Sequence, residues 1–186
     1  MNDNQPHNHS LLEKDNALLV IIDMQERLVP AMSEKERLVE NAIKLVKFSR
    51  IMGLPVLVTE QQKLGETIPE IRELIEDFSP ITKLEFDCFG SRDFLDRINT
   101  LKKRALIIIG IEAHICVAQT ALHALSDYRV HVVGDATSSR TPENQKTALF
   151  RMGQAGVTIT STEMVIYELL GRAGTDTFRE VLKLVK

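Results

Sequence analysis

The chain has 186 residues, 44% hydrophobic and 26% charged, with a formal net charge of −3 at pH 7. That length suits one domain able to bury roughly 70% of its unfolded surface. The charge balance leaves no basic footprint for nucleic acid, and no apolar run approaches the roughly 18 residues that a membrane span requires.

The opening stretch "MNDNQPHNHSLLEKDN" is polar, with neither a basic flank nor an apolar signal core, which points to the cytoplasm. Residues 1–15 read as a flexible tail by composition and residues 16–186 as a single domain. His7 and His9 belong to the tail, as solvated residues rather than a metal site.

"ALLVIID" (17–23) is the first of five β-branched, nearly continuous apolar runs, the pattern of strands covered on both faces. A helix over 33–52 follows, with Ser33 and Glu36 spaced as a capping box and Gly53 closing it. Next come strand 54–59 ("LPVLVT"), a weaker sixth strand over 79–86 ("SPITKLEF"), helix 91–103 and strand 105–110 ("ALIIIG"). Helix 115–127, strand 129–135 ("RVHVVGD"), helix 143–155, strand 156–161 ("GVTITS") and a last helix ending near Lys186 complete the chain. Strands alternating with helices imply an α/β fold: a Rossmann-like three-layer sandwich, with helices on both faces of a six-stranded parallel sheet.

Such sheets bind ligands beyond the carboxyl ends of their strands, where the strand order reverses. Asp23 ends the first strand, Lys83 lies at the end of the third, and Cys116 follows the fourth by one short turn. In the order 3-2-1-4-5-6, strands one and four are neighbours and bring Asp23 to Cys116. Singly, each residue has a plainer role: a turn cap, a solvated lysine, a small buried hydrophobe. Together they make a nucleophilic site. A helix N-terminus and a nearby Lys83 lower a thiol's pKa, Asp23 can take the thiol proton, and the turn after Gly110 offers amides for an oxyanion. On this reasoning Cys116 reacts with alkylating agents faster than Cys88, which reads as pocket wall.

The motifs "VIIDMQ", "TKLEFDCFG" and "GIEAHICV", in that order, resemble those of the isochorismatase-like cysteine hydrolases. "DATSSRTPEN" and "ITSTEMVIYELLGRAGT" resemble later segments of the subgroup of isochorismatase-domain-containing proteins. The resemblance covers about residues 15–186. It implies a catalytic triad of Asp23, Lys83 and Cys116, a cis peptide between Ile111 and Glu112, and an oxyanion hole from the amides of Glu112 and Cys116. Gln25, Leu28, Phe86, Phe89 and His114 are the candidate pocket residues. Where the family carries a small Ser after the lysine motif, this chain has Asp87 beside Cys88.

Metal-binding members of the family carry Asp-x-His and a further His after the second strand. Here that place reads "TEQQKLGET", and no His occurs between His9 and His114, so no metal is expected. His123 and His131 fall inside a helix and a strand, where satisfied structural roles are expected. Gly-rich phosphate loops are absent, and no cofactor is implied.

The resulting expectation is a metal-independent hydrolase of a small molecule, cleaving a C–N bond of an amide or ureido compound through a Cys116 thioester, and a homo-oligomer by resemblance. Two alternatives stand beside it. One is a vinyl-ether hydrolase that uses Asp23 as acid. The other is a non-catalytic binding or assembly protein on the same fold.

Overall fold

The structure, a computed structural model, describes residues 11–185. His7, His9 and most of the expected tail lie outside the described residues. Leu12 is buried in the core, and its N–H donates to Glu168 Oε2 at 3.1 Å.

Six strands form one parallel sheet: β1 (Ala17–Ile22), β2 (Val56–Gln61), β3 (Ile81–Lys83), β4 (Ala105–Ile111), β5 (Arg129–Ser138) and β6 (Thr158–Thr160). Their order is β3-β2-β1-β4-β5-β6, the one the alternating pattern predicts. Around it lie α1 (Lys35–Met52), α2 (Pro69–Arg72), α3 (Arg92–Leu101), α4 (Ala118–Ala124), α5 (Pro142–Gln154), α6 (Thr162–Leu170) and α7 (Asp176–Val185).

The unbroken apolar runs of β1 and β4 have a direct cause. Leu19, Ile21, Ile107 and Ile109 join the cluster of Leu45, Phe48 and Ile166 from α1 and α6. Leu18, Val20, Leu106 and Ile108 join Phe94, Ile98, Ala121 and Met152 from α3, α4 and α5. Alternate residues thus serve opposite layers, and neither face is left to water.

Local chemistry sets most helix ends. Ser91, Thr141 and Ser161 each accept a backbone N–H in the first turn of α3, α5 and α6. The capping box at Ser33 does not form: α1 starts after Glu34, which makes no side-chain cap. The Ser33 backbone is engaged elsewhere, its N–H on Ser139 O at 2.9 Å and its carbonyl taking the Ser138 hydroxyl at 2.6 Å. A tertiary tie between the start of α1 and the end of β5 therefore outcompetes the local cap. The helix expected over 115–127 is a π-helical turn, Ala113–Val117, running into α4. The final segment is two helices, with Gly171 (φ 66°) ending the first. β5 runs three residues past its expected end, and the Gln145 side-chain amide spans it by donating to the carbonyls of Gly134 and Thr137.

Gly110 sits where β1 and β4 come closest, opposite Ile22, at φ 114°. A Cβ there would lie 2.0 Å from the Ile22 carbonyl oxygen, so no other residue fits. Gly110→Ala is expected to cost at least ~3 kcal/mol or to prevent folding, as read by chemical denaturation.

His131, on β5 between Ile107 and Thr158, departs from the satisfied role expected of it: both ring nitrogens are buried without a partner. Burial lowers its pKa below 6.5, and nearby Arg129 adds to this while Glu168 opposes it. The unfolded chain therefore takes up a proton that the fold rejects. Stability is full above about pH 6.5 and falls as pH drops below that value. Thermal melts should lose up to about 1.4 kcal/mol per pH unit from this group, and His131→Leu should flatten that slope.

Candidate active site

The carboxyl ends of β1, β2, β3 and β4 meet in one buried cluster. Asp23 follows β1 in the left-handed region at φ 53°, a conformation that Asp tolerates better than most residues. Its N–H donates to Thr59 O at 3.1 Å, and its carbonyl takes the N–H of Gln25 at 2.7 Å. These bonds fix the turn that leaves the Asp23 carboxylate facing its partners.

Lys83 ends β3 and donates its ammonium to Asp23 Oδ2 at 2.8 Å, with both side chains 0% exposed. A second bond runs from Lys83 Nζ to Gln61 Oε1 at 2.8 Å, a reach set by the pairing of Gln61 with Lys83 across β2 and β3. Thr59 donates its hydroxyl to the other carboxylate oxygen, Asp23 Oδ1, at 2.7 Å. Burial pulls the Lys83 pKa down, but attraction to Asp23 and to the thiols of Cys88 and Cys116 leaves it above its usual value. Lys83 is a fixed positive charge.

Cys116 lies in the π-helical turn after β4 and is 6% exposed. Its thiol is acted on by Asp23 as a charge and as a hydrogen-bond acceptor. The low thiol pKa argued from the sequence does not hold. Burial and then the Asp23 carboxylate push the Cys116 pKa well up, and Lys83 only partly offsets them. At rest Cys116 is a neutral thiol.

The Ile111–Glu112 peptide bond is cis. In the following turn, the N–H groups of Ile115 and Val117 both donate to the Glu112 carbonyl, at 3.0 and 3.3 Å. The amides of Glu112 and Cys116 stand outside that pairing. The Glu112 carboxylate holds the loop between β5 and α5, accepting from Arg140 N at 3.2 Å and Arg140 Nε at 3.0 Å. His114 contacts the same loop through Ser139 Oγ at 2.9 Å.

The expected pocket residues have different surroundings. Gln25 is fully buried and spends its side chain on backbone: Nε2 donates to the carbonyls of Gln61 and Gly65, and Oε1 accepts the Gln61 N–H. It clasps the 61–67 loop against β1. Leu28 packs on the apolar cluster that includes α1. Phe89 is buried among the rings of Phe94, His123 and Tyr128, at centroid distances of 5.2, 4.9 and 5.9 Å. Phe86, by contrast, is 55% exposed three residues beyond Lys83.

Asp87 does two jobs in place of the family's Ser: Oδ1 caps the Phe89 N–H at 3.0 Å, and Oδ2 meets His123 Nδ1 at 2.7 Å. Thr59 and Gln61 are the functional neighbours that the sequence reading missed. Thr59 ends "LPVLVT" and could have been found by the same strand-end argument that selected Asp23.

The end of β2 and the segment that follows it are engaged within the protein. Glu60 Oε1 accepts both the N–H and the hydroxyl of Thr67, at 2.7 and 2.8 Å, and Gln61 serves Lys83. Among the described residues, no cluster of three His, Cys, Asp or Glu side chains is placed to hold a metal ion, and no helix is long and apolar enough to cross a membrane.

A buried acid, amine and thiol thus lie at the switch point of a parallel sheet, the place where such sheets bind ligands. Comparison with known proteins gives the family. The Isochorismatase domain matches residues 17–164, and the chain belongs to the isochorismatase-like hydrolase family. It is 35% identical to isochorismatase domain-containing protein 2 of Macaca fascicularis over 175 residues, covering 92% of this chain and 83% of that one. Among solved structures it resembles the MAR1 ribonuclease of Caenorhabditis elegans, with 33% identity, TM-score 0.88, and 95% and 92% of the two chains covered. It also resembles YcaC of Pseudomonas aeruginosa, solved with hexane-2,5-diol and covalent acrylamide, with 25% identity, TM-score 0.89 and the same coverage.

The Asp23–Lys83 pair yields a stability test. Lys83→Met should cost about 3–5 kcal/mol, because it strands a buried carboxylate. Adding Asp23→Asn should recover part of that loss, a coupling that urea titration of the two single variants and the double variant measures directly.

Proposed function

We propose that the protein is a cysteine hydrolase that cleaves a C–N bond of a small amide or ureido compound. The observation that carries this reading is the convergence at the carboxyl ends of neighbouring strands of Cys116, in the turn after β4, and a buried Asp23, whose two oxygens are already held by Lys83 and Thr59. A thiol with a raised pKa needs a base at the moment of attack, and Asp23 is the base within reach.

The chemistry runs as follows. Cys116 gives its proton to Asp23 while its sulfur adds to the substrate carbonyl. The carbonyl oxygen becomes an oxyanion, which the backbone amides of Glu112 and Cys116 stabilise. Lys83 keeps the net charge of the buried cluster near neutral as the negative charge moves from Asp23 to sulfur and then to the oxyanion. Collapse breaks the C–N bond, and the departing amine takes the proton from Asp23. Water then attacks the thioester, with Asp23 again as base, and the thiol is restored. The covalent acrylamide in the P. aeruginosa YcaC structure supports the reading by analogy, since acrylamide is an electrophile to which thiols add.

The test is a screen of small amides and ureido compounds for ammonia or amine release, followed by two variants. Cys116→Ala and Asp23→Asn should each lower turnover at least ~100-fold, with losses that do not add. Mass spectrometry should find an acyl adduct on Cys116 of the wild-type protein. An active Cys116→Ala protein beside a dead Asp23→Asn protein would overturn the thioester reading in favour of vinyl-ether cleavage by Asp23. RNA hydrolysis that survives Cys116→Ala would also overturn it.

A further inference from the structure

Two features of the surface lie apart from the acid–amine–thiol cluster and have opposite character. The first is a groove of about 630 Å³ between the start of α1, the turn before it and the start of α2. Val39, Ile43 and Ile68 give it an apolar floor. Exposed Glu26, Glu36, Glu40 and Glu70 stand around that floor, against one lysine, Lys35. Lys35 itself lies 3.9 Å from Glu36.

The second feature is the outer face of α5. Phe150 projects from it, 69% exposed, beside half-buried Leu149 and exposed Ile159 of β6. Lys146 precedes Phe150 by one turn and Arg151 follows it directly, both exposed. Arg37 borders the same patch, whereas Glu143 stands two turns away at the start of the helix. Asp135, also at the border, spends Oδ1 on the N–H and hydroxyl of Thr162. A single exposed apolar side chain is ordinary on a protein surface. A ring flanked by cations, on a chain that also carries an apolar groove rimmed by acids, is a matched pair.

We propose that these two faces meet between copies of this chain, with Phe150 of one copy entering the groove of the next while Lys146 and Arg151 face its glutamates. Charge selects the occupant. Groove against groove would set glutamates against glutamates, and α5 against α5 around Phe150 would set cations against cations. Each face therefore repels itself and attracts the other. The spacing agrees as well. Lys146 and Phe150 are one turn apart on α5, as are Glu36 and Glu40 on α1, so helices laid side by side keep both pairs in step.

Such a contact joins unlike surfaces. Because α1 and α5 cover opposite faces of the sheet, one copy turns its two surfaces toward two different neighbours. Assembly then continues until it closes as a ring or runs on as a row of copies. None of the residues involved belongs to the cluster of Asp23, Lys83 and Cys116, so the contact stands whichever bond that cluster cleaves.

The experiment is sedimentation velocity on the full chain from about 1 to 100 µM. The wild-type protein should form species larger than a monomer, and added salt should weaken them. Phe150→Asp should weaken association at least ~30-fold, as expected for the central anchor of an interface. Glu36→Lys combined with Glu40→Lys should weaken it at least ~10-fold. All three positions are exposed, so these variants should remain folded. An equimolar mixture of the two variants decides the matter. The Phe150→Asp chain keeps a sound groove and the double variant keeps a sound α5, so the mixture should yield a dimer and nothing larger.

A wild-type protein that stays monomeric at 100 µM overturns the proposal. So does an assembly that either variant leaves unchanged, because the contact then lies elsewhere. Two weakened variants that fail to pair when mixed overturn it too, since each face would then meet its own copy.

Discussion

An ion pair with no access to water sits at the centre of this protein. Lys83 and Asp23 meet at 2.8 Å, both side chains fully buried. Two charges taken from water cost several kcal/mol each, and only close geometry with further hydrogen bonds offsets that cost. The surrounding structure supplies those bonds: Thr59 to one carboxylate oxygen, Gln61 to the ammonium, and the backbone of Thr59 and Gln25 to the turn that carries Asp23. Each comes from a strand end or the residues just beyond it, so the position of the pair depends on the register of β1, β2 and β3.

Burial first, and then the same pair, keep the thiol quiet at rest. A lysine close to a cysteine ordinarily stabilises a thiolate. Here the lysine is already committed to a carboxylate, and that carboxylate repels negative charge on sulfur. The cluster as a whole tolerates one negative charge beside one positive charge. In the mechanism proposed above, proton transfer from Cys116 to Asp23 would move the negative charge without creating a second one, which is the arrangement a buried site can sustain.

The sheet and the site support one another through Gly110 and the turn that follows it. The close approach of β4 to β1 at Gly110 directs the chain toward Asp23, and the Glu112 carboxylate then ties that turn to Arg140 in the loop after β5. His114 adds a second tie through Ser139. Thus β5, which contributes nothing to the acid–amine–thiol cluster, still steadies the segment on which Cys116 is carried.

The sequence by itself determined the architecture and the meeting of three residues. Continuous β-branched runs alternating with helical patterns leave a parallel sheet as the packing that buries both strand faces, and strand order then brings Asp23 to Cys116 and Lys83. What only the tertiary structure decided is what surrounds them. Ser33 looks like a helix cap, yet its backbone is drawn into bonds with Ser138 and Ser139, 105 residues away in the closer case. The motif marks Gln25, and only the folded chain gives its amide its partners in the 61–67 loop. The pKa of Cys116 has the opposite sign from the one its helix and lysine suggest, because burial and the neighbouring carboxylate outweigh them. These are effects of burial and of partners distant in sequence. Periodicity records which face a residue takes, but hydrogen-bond partners and dielectric surroundings exist only once the layers have closed.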